Sequence, residues 1–449
     1  MLRKNVFAVM LVMIMLVSIL AACGGSAQPP AGEGSSVDAA GGTAADKTTL
    51  EPAKKTTVSW STWGNAGELE RYYSLNKAFM EKYPNITIDF QPIPNDGYDQ
   101  KMLSLVASNS EPDIYYNETS FYDLAKEGKL EALDSYLAKD ASIKAEDFYP
   151  NLIEWCKYDG KTYGLPCDSA PMSLYYNKDL FKKLSIPDPN DLEAQGQWDI
   201  NAFKSACEKL VAEGYKGMVL NNWYAIALDW YGSSGWKIYS DDGKKSVVNS
   251  PEGKEIFKFM QDMVKKDIVT YKSSSSGSID EAQLFMAGKS GFVEAGRWYV
   301  PVFKDITSFE FDICPIPKGL NGGRVIGVPS VPVVMSANAK DKEAAWTFFS
   351  YFEGIDGQTF RLKDMGNCIP SINLPGLDEA TFLADKLPEH KDVWTKGRVE
   401  GIRQYPNDIL YKKCTTLYTD AIDKILLGAD IDSTLAKLQT DMDAELSRQ

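Results

Sequence analysis

Eight side chains stand where this chain could do chemistry. Trp63 and Asn65 follow the strand-like run Thr56-Thr57-Val58-Ser59-Trp60, and Glu118 lies in the polar loop behind Ile114-Tyr115-Tyr116. Asp168 sits in a short polar segment, Cys167-Asp168-Ser169-Ala170-Pro171. Asn222 and Trp223 end the run Gly217-Met218-Val219-Leu220, while Arg297 and Trp298 follow Phe292-Val293-Glu294. Flat rings mixed with carboxylates, amides and a guanidinium supply apolar faces and directional hydrogen bonds, which is equipment for non-covalent binding. The chain has one histidine, His390, which argues against a His-based triad or a His-rich metal site. Cysteines 156, 167, 207, 314, 368 and 414 form neither a CxxC pair nor a metal spacing. They read as mostly free, buried thiols, with one or two bridges left open by the even count. No catalytic residue, metal or organic cofactor is assigned, and no Asp/Asn-rich loop has calcium-site spacing.

The elements that must position these residues follow from periodicity. Leu69, Tyr72, Tyr73, Asn76, Phe79, Met80 and Tyr83 fall on a 3.6-residue stripe, so the spacing predicts a helix over 66–83, stopped by Pro84. Ile86-Thr87-Ile88-Asp89-Phe90 alternates as a strand, and Tyr98, Met102, Leu105 and Val106 mark a further helix. With strand 114–116 this is β-α-β-α-β, which implies a mainly parallel sheet with ligand loops at the carboxyl ends of its strands. Trp63-Gly64-Asn65 and Asn117 to Ser120 hold that position. Asp159-Gly160 predicts a hairpin turn, and Asn177 is placed to cap a short helix through Leu184. A strand is expected over Val325 to Met335, and a final helix carries Ile431, Leu435, Leu438, Met442 and Leu446. The tyrosine pairs starting at 72, 115 and 175 match the adjacent tyrosines of ferric-ion-binding proteins, but their place on a helix stripe and in strands favours packing.

A length of 449 residues exceeds one ordinary core and implies two lobes. Residues 1–22 read as a signal peptide: basic Arg3-Lys4, an apolar run Val6 to Leu20, then Leu20-Ala21-Ala22-Cys23. That ending resembles the bacterial lipobox, in which Cys23 becomes the lipid-modified first residue, and its acyl chains would anchor the protein stably. The run falls short of the ~20 apolar residues of a membrane span. Residues 23–55 are rich in Gly, Ala, Ser, Thr and Pro and read as a tether of roughly 30 Å root-mean-square span. Net charge is −14, with 48 basic against 62 acidic residues. Such a surface argues against nucleic acid and against electrostatic binding to anionic lipid, and it favours solubility.

Several stretches, in order, resemble one family. They are Trp60 to Gly64, SNSEPDIYYNE at 108–118, FYDLAKEGKLEALDSYL at 121–137, DGKTYGLP at 159–166 and LYYNKDLF at 174–181. FMAGKSGFVEAGRW at 285–298 and GVPSVPVVMSANAKDKEAAWTFFSYF at 327–352 complete the series. The chain resembles the extracellular (family 1) solute-binding lipoproteins of bacterial ABC sugar importers, the group that includes maltodextrin-binding protein. The resemblance implies an α/β, two-lobed periplasmic-binding-protein-like fold (type II), with a ligand cleft between lobes and several interlobe crossings. It divides the chain into an N-terminal lobe, 56–167 with 318–373, and a C-terminal lobe, 168–317 with 374–449.

The same resemblance implies a monomeric extracellular carbohydrate-binding protein, not an enzyme. It would be lipid-anchored on the outer face of the cell membrane and would deliver a mono- or oligosaccharide to the transmembrane subunits of an ABC permease. Sugars present hydroxyl edges and C–H faces, so Trp63, Trp223 and Trp298 are expected as platforms. Asn65, Glu118, Asp168, Asn222 and Arg297 are expected as hydroxyl partners. Gly296-Arg297-Trp298 matches the family's Gly-x-Trp pattern. Ala170 stands where the maltodextrin-binding relative has an acid. Two alternatives are a same-fold protein for a non-sugar solute or a sensory partner, and a secreted glycosidase using acids such as Asp168 and Glu294.

Overall fold

The computed structural model describes residues 54–273, 279–402 and 412–448. The signal peptide, Cys23 and nearly all of the tether lie outside the described residues. Among the described residues, no helix is long and apolar enough to cross a membrane.

Strand β1 (Thr56–Ser61) pairs in parallel with β2 (Ile86–Phe90) and β3 (Ile114–Tyr116). Helices α1 (Ala66–Lys82) and α2 (Tyr98–Ala107) make the crossovers. The β-α-β-α-β reading therefore holds element by element. The sheet is nevertheless mixed: strand Pro332–Met335 joins β3 antiparallel, and strand Gly164–Pro166 joins that strand antiparallel in turn. Gly164–Pro166 runs towards the crossing that leaves the lobe, whereas Pro332–Met335 has just arrived from it, so the two must run in opposite directions.

Trp60 anchors this core. It is fully buried, stacks on Phe90 at a centroid distance of 4.4 Å, and donates from Nε1 to Asn76 Oδ1 at 3.1 Å. Asp113 accepts from both the N–H and the hydroxyl of Ser59, at 2.8 and 2.7 Å, and holds β1 beside the loop that leads into β3. Tyr73, placed on the helix stripe by periodicity, is 54% exposed. It follows buried Tyr72 by about 100° around the helix and so turns away from the sheet.

The second lobe has its own sheet, in which Ser173–Asn177 lies between Phe292–Ala295 and Phe311–Cys314, antiparallel to both. Its core gathers Trp198, Phe203, Trp230, Met260 and the helices Lys412–Leu426 and Ile431–Leu446. Asn177 caps its helix by accepting from Leu180 N–H at 2.9 Å, as its position predicts. The six cysteines of the body are all buried and free, so no bridge forms among them.

Three passes of chain lie side by side between the lobes. Cys167 N–H donates to Val331 O, Ala170 N–H to Pro329 O and Met172 N–H to Gly327 O, all at 2.9–3.0 Å. Ser169 and Ile369 exchange backbone bonds at 2.9 and 3.0 Å. The strand expected from Val325 is thus confined to Pro332–Met335. Pro329 and Pro332 carry no N–H, which interrupts a regular ladder and leaves 327–331 as a connecting strap.

One buried carboxyl pair ties that strap to the second lobe. Asp229 Oδ1 accepts from Gly327 N–H at 2.6 Å, and Glu294 Oε2 accepts from Trp230 Nε1–H at 2.7 Å. The remaining oxygens, Asp229 Oδ2 and Glu294 Oε1, are buried and find no separate donor. With the two carboxyl groups hydrogen-bonded to each other and no cation beside them among the described residues, a shared proton relieves their repulsion. Burial and their mutual repulsion push Asp229 well up, and burial pushes Glu294 up to about 7.

Because both groups hold protons more tightly when folded, the associated stability is complete below the usual carboxylate range. It is lost as pH rises through about 7. Thermal unfolding followed from pH 5 to 8 should therefore show a falling melting temperature in the wild type. Asp229→Asn can keep the bond from Gly327 and donate an amide proton to Glu294, so it should flatten that slope. Parallel profiles for the two proteins would refute the shared proton.

Candidate functional site

The loops after β1 and β3 form the first-lobe wall. Asn65, which is exposed, caps α1: its Oδ1 accepts from Glu68 N–H at 3.1 Å, and its own N–H donates to Glu68 Oε2 at 2.6 Å. This capping box turns the Glu68 carboxyl back over the start of the helix. There Glu68 Oε1 accepts from Asn367 Nδ2 at 2.7 Å. Burial raises the Glu68 pKa, opposed by the hydrogen bonds from Asn65 and Asn367 and reinforced by the charge of Asp168. Trp63 is half-buried and stands edge-on to Tyr98 and Tyr116, with centroids at 4.8 and 5.2 Å. Those contacts hold the ring at the end of the loop.

The second-lobe wall is aromatic. Strand Val219–Asn221 ends in a turn in which Asn221 Oδ1 accepts from Trp223 N–H at 2.9 Å. Trp223 meets Trp298 edge-to-face, with centroids 6.0 Å apart and planes at 75°. Gly296 permits the Trp298 geometry, because a Cβ there would fall 2.3 Å from the ring. The Trp298 ring rests on Ala170, Leu362 and Cys368, at the floor between the lobes.

The walls meet across the cleft. Tyr224 OH donates to Glu118 Oε1 at 3.2 Å, linking the second lobe to the loop after β3. Near the start of α1, a Cβ on Gly67 would lie 3.8 Å from Pro301 of the second lobe. The contacts therefore run from Trp298 through Trp223 and Tyr224 to Glu118, one connected surface bridging both lobes.

Three of the expected residues are engaged elsewhere. Asp168 is 5% exposed and pairs with Arg361 Nη1 at 3.3 Å, inside a buried cluster with Glu353. Arg361 also donates to Cys167 O, and burial pushes Glu353 up to about 8. Arg297 is fully buried: Nη1 donates to Leu362 O at 3.2 Å and Cys368 O at 2.7 Å, and Nη2 pairs with Asp385. Asn222 directs its amide to Thr419 O at 3.4 Å. Removing one partner of a buried ion pair such as Arg297–Asp385 costs about 3–5 kcal/mol, so such pairs hold the floor in place.

Sequence reading passed over Glu68, Tyr224 and Asn367. Asn65-Ala66-Gly67-Glu68 carries the capping-box spacing, and Tyr224 adjoins Trp223, so both had a local signal. Asn367 had none, since its partner lies 299 positions away. Two hollows of about 480 and 550 Å³ lie apart from this surface, lined by residues such as Asp134 to Glu146 and Ile306 to Phe311. Asp312, Glu389 and His390 come within 4.8 Å of one another. However, Asp312 already accepts from three backbone N–H groups and pairs with His390 Nδ1 at 2.7 Å, a structural arrangement.

Comparison with known proteins agrees with this architecture. An uncharacterized ABC transporter extracellular-binding protein of Pyrococcus horikoshii is 24% identical over 394 residues, spanning 83% of this chain and 82% of that protein. The melibiose/raffinose/stachyose-binding protein MelE of Bacillus subtilis is 27% identical over 186 residues, 41% of this chain and 39% of MelE. Among solved structures, an ABC substrate-binding protein from Listeria monocytogenes in complex with cycloalternan superposes with a TM-score of 0.78. It is 21% identical over 88% of this chain and 100% of that one. Residues 65–359 match the family model for bacterial extracellular solute-binding proteins. Two lobes, a cleft walled by both, and that match over most of the body lead to one conclusion: this chain belongs to the bacterial extracellular solute-binding protein family.

Proposed function

We propose that the protein captures a mono- or oligosaccharide between its lobes and hands it to an ABC permease whose membrane and ATPase subunits are separate chains. The observation that carries this reading is the Trp223–Trp298 pair facing a wall of hydrogen-bonding groups, with Glu118 and Tyr224 meeting across the gap. Rings receive the C–H faces of a pyranose, while carboxylates and amides receive its hydroxyls. The names of similar proteins support the same solute class, since MelE is named for melibiose, raffinose and stachyose, and the Listeria structure holds cycloalternan.

In this reading Trp298, Trp223 and Trp63 are platforms, and Glu118 and Asn65 bind hydroxyls together with Glu68 and Asn367. Asp168 and Arg297 act from behind, holding the floor on which Trp298 rests. The lobes comprise 56–167 with 318–373 and 168–317 with 374–449. A solute touching both walls favours the closed form by its differential affinity for it. The protein works as a monomer on the outer face of the cell membrane, held by lipid on Cys23.

A thermal-shift panel of maltotriose, raffinose, lactose and monosaccharides should raise the melting temperature with at least one sugar. Trp298→Ala should then weaken calorimetric affinity for that sugar at least tenfold, or about 1.4 kcal/mol, with the circular dichroism spectrum unchanged. Stabilisation by amino acids or polyamines but by no sugar would overturn the carbohydrate reading. Cleaved oligosaccharide in chromatography of the incubation would favour the glycosidase instead. Cys23→Ser should move the protein from the membrane fraction to the medium, and unchanged fractionation would refute the lipid anchor.

A further inference from the structure

Residues 363–369 form a tongue that leaves the first lobe, enters the second and returns. Leu362 ends the helix Ile355–Leu362, whose Arg361 lies in the buried first-lobe cluster with Glu353. Ser371 then donates to Pro166 O at 2.6 Å, and Ile372 rejoins the first-lobe core. Between these points Met365 and Ile369 pack into a second-lobe cluster with Tyr175, Phe303 and Trp394. Asp364 and Met365 occupy consecutive left-handed backbone positions, φ 51° and 63°, which side-chain-bearing residues hold only where surroundings enforce them.

The tongue is gripped from both sides. From α1, Arg71 Nη1 donates to Lys363 O at 2.8 Å and Nη2 to Asp364 O, while Asn367 donates to Glu68. From the second lobe, Arg297 takes Leu362 O and Cys368 O, and Asp385 Oδ1 accepts from Met365 N–H at 3.0 Å. The two grips differ in strength. Arg297 and Asp385 form an ion pair with side-chain exposures of 0% and 6%. The Arg71 bonds lie at the surface, where water replaces a lost partner at little cost. Of the two grips, the surface one is therefore the cheaper to break.

We propose that Arg71 is a positioning residue for ligand retention: it latches the tongue to α1 only in the closed form and so slows opening, without touching the solute. This rests on the reading of the molecule as a two-lobed binding protein that closes, and not on which solute it holds. Because the tongue supplies Leu362 and Cys368 beneath Trp298, latch and platform are mechanically joined.

The test compares wild type, Arg71→Ala and Arg71→Lys as full chains, with maltotriose and raffinose as probes. Stopped-flow tryptophan fluorescence should show dissociation from Arg71→Ala about tenfold faster, with association changed less than about twofold. Arg71→Lys, which retains one donor, should fall between. The ligand-free melting temperature of Arg71→Ala should stay close to wild type. Unchanged dissociation would overturn the latch. So would a loss shared between association, dissociation and melting temperature, because a purely structural role would give that. If neither probe binds the wild type, the choice of solute has failed, and small-angle scattering of the ligand-free proteins decides the latch. Arg71→Ala should then shift to a larger radius of gyration, and identical curves would overturn the proposal.

Discussion

The Arg361 guanidinium is the constraint around which the joint between the lobes is built. It reaches Asp168 on the first crossing, Glu353 on the adjoining helix and the carbonyl of Cys167, and it lies over the Phe352 ring at 4.6 Å. Burying a charge this deeply is unfavourable unless counter-charge and hydrogen bonds surround it, and removing either partner leaves an unpaired ion in a dry interior. The crossing therefore has one position relative to the first-lobe sheet. Immediately after Asp168, Ser169 pairs with Ile369, and Ala170 pairs with Pro329 and lies under Trp298. The placement of the Trp298 ring thus traces back to one ion cluster.

The two walls of the cleft are held by different physics. On the first-lobe side, polar groups are oriented by backbone: a capping box aims Glu68, and the loop after β3 carries Glu118. On the second-lobe side, ring packing does the orienting, since Trp223 and Trp298 each limit the other and Gly296 leaves room for the Trp298 ring. A wall rich in polar groups opposite an aromatic pair suits a solute with hydroxyl edges and apolar faces.

Much of the architecture was legible because it is local. The periods of β1, α1, β2, α2 and β3, the turn at Asp159-Gly160 and the cap at Asn177 depend on residues a few positions apart, and each formed where patterning placed it. The misreadings have separate causes, and only the first depended on distant chain. The sheet read as mainly parallel became mixed because a strand returned from the other lobe. The strand expected from Val325 shortened because two prolines interrupt its pairing. Tyr73 turned to solvent although it neighbours the buried face.

Sequence alone determined the chemical character of the site: tryptophans at strand ends, with acids and amides in the loops beside them. Tertiary structure decided which of those groups face the gap and which hold the protein together. Asp168 and Arg297 read as ligand partners by type and position. Yet each found a buried opposite charge, Arg361 and Asp385, 193 and 88 positions away. Only folding brings such partners together, and in a low-dielectric interior an available counter-charge claims a charged side chain before a solute can. Glu68 shows the converse, since an ordinary helix cap became part of the cleft only when Asn367 arrived opposite it.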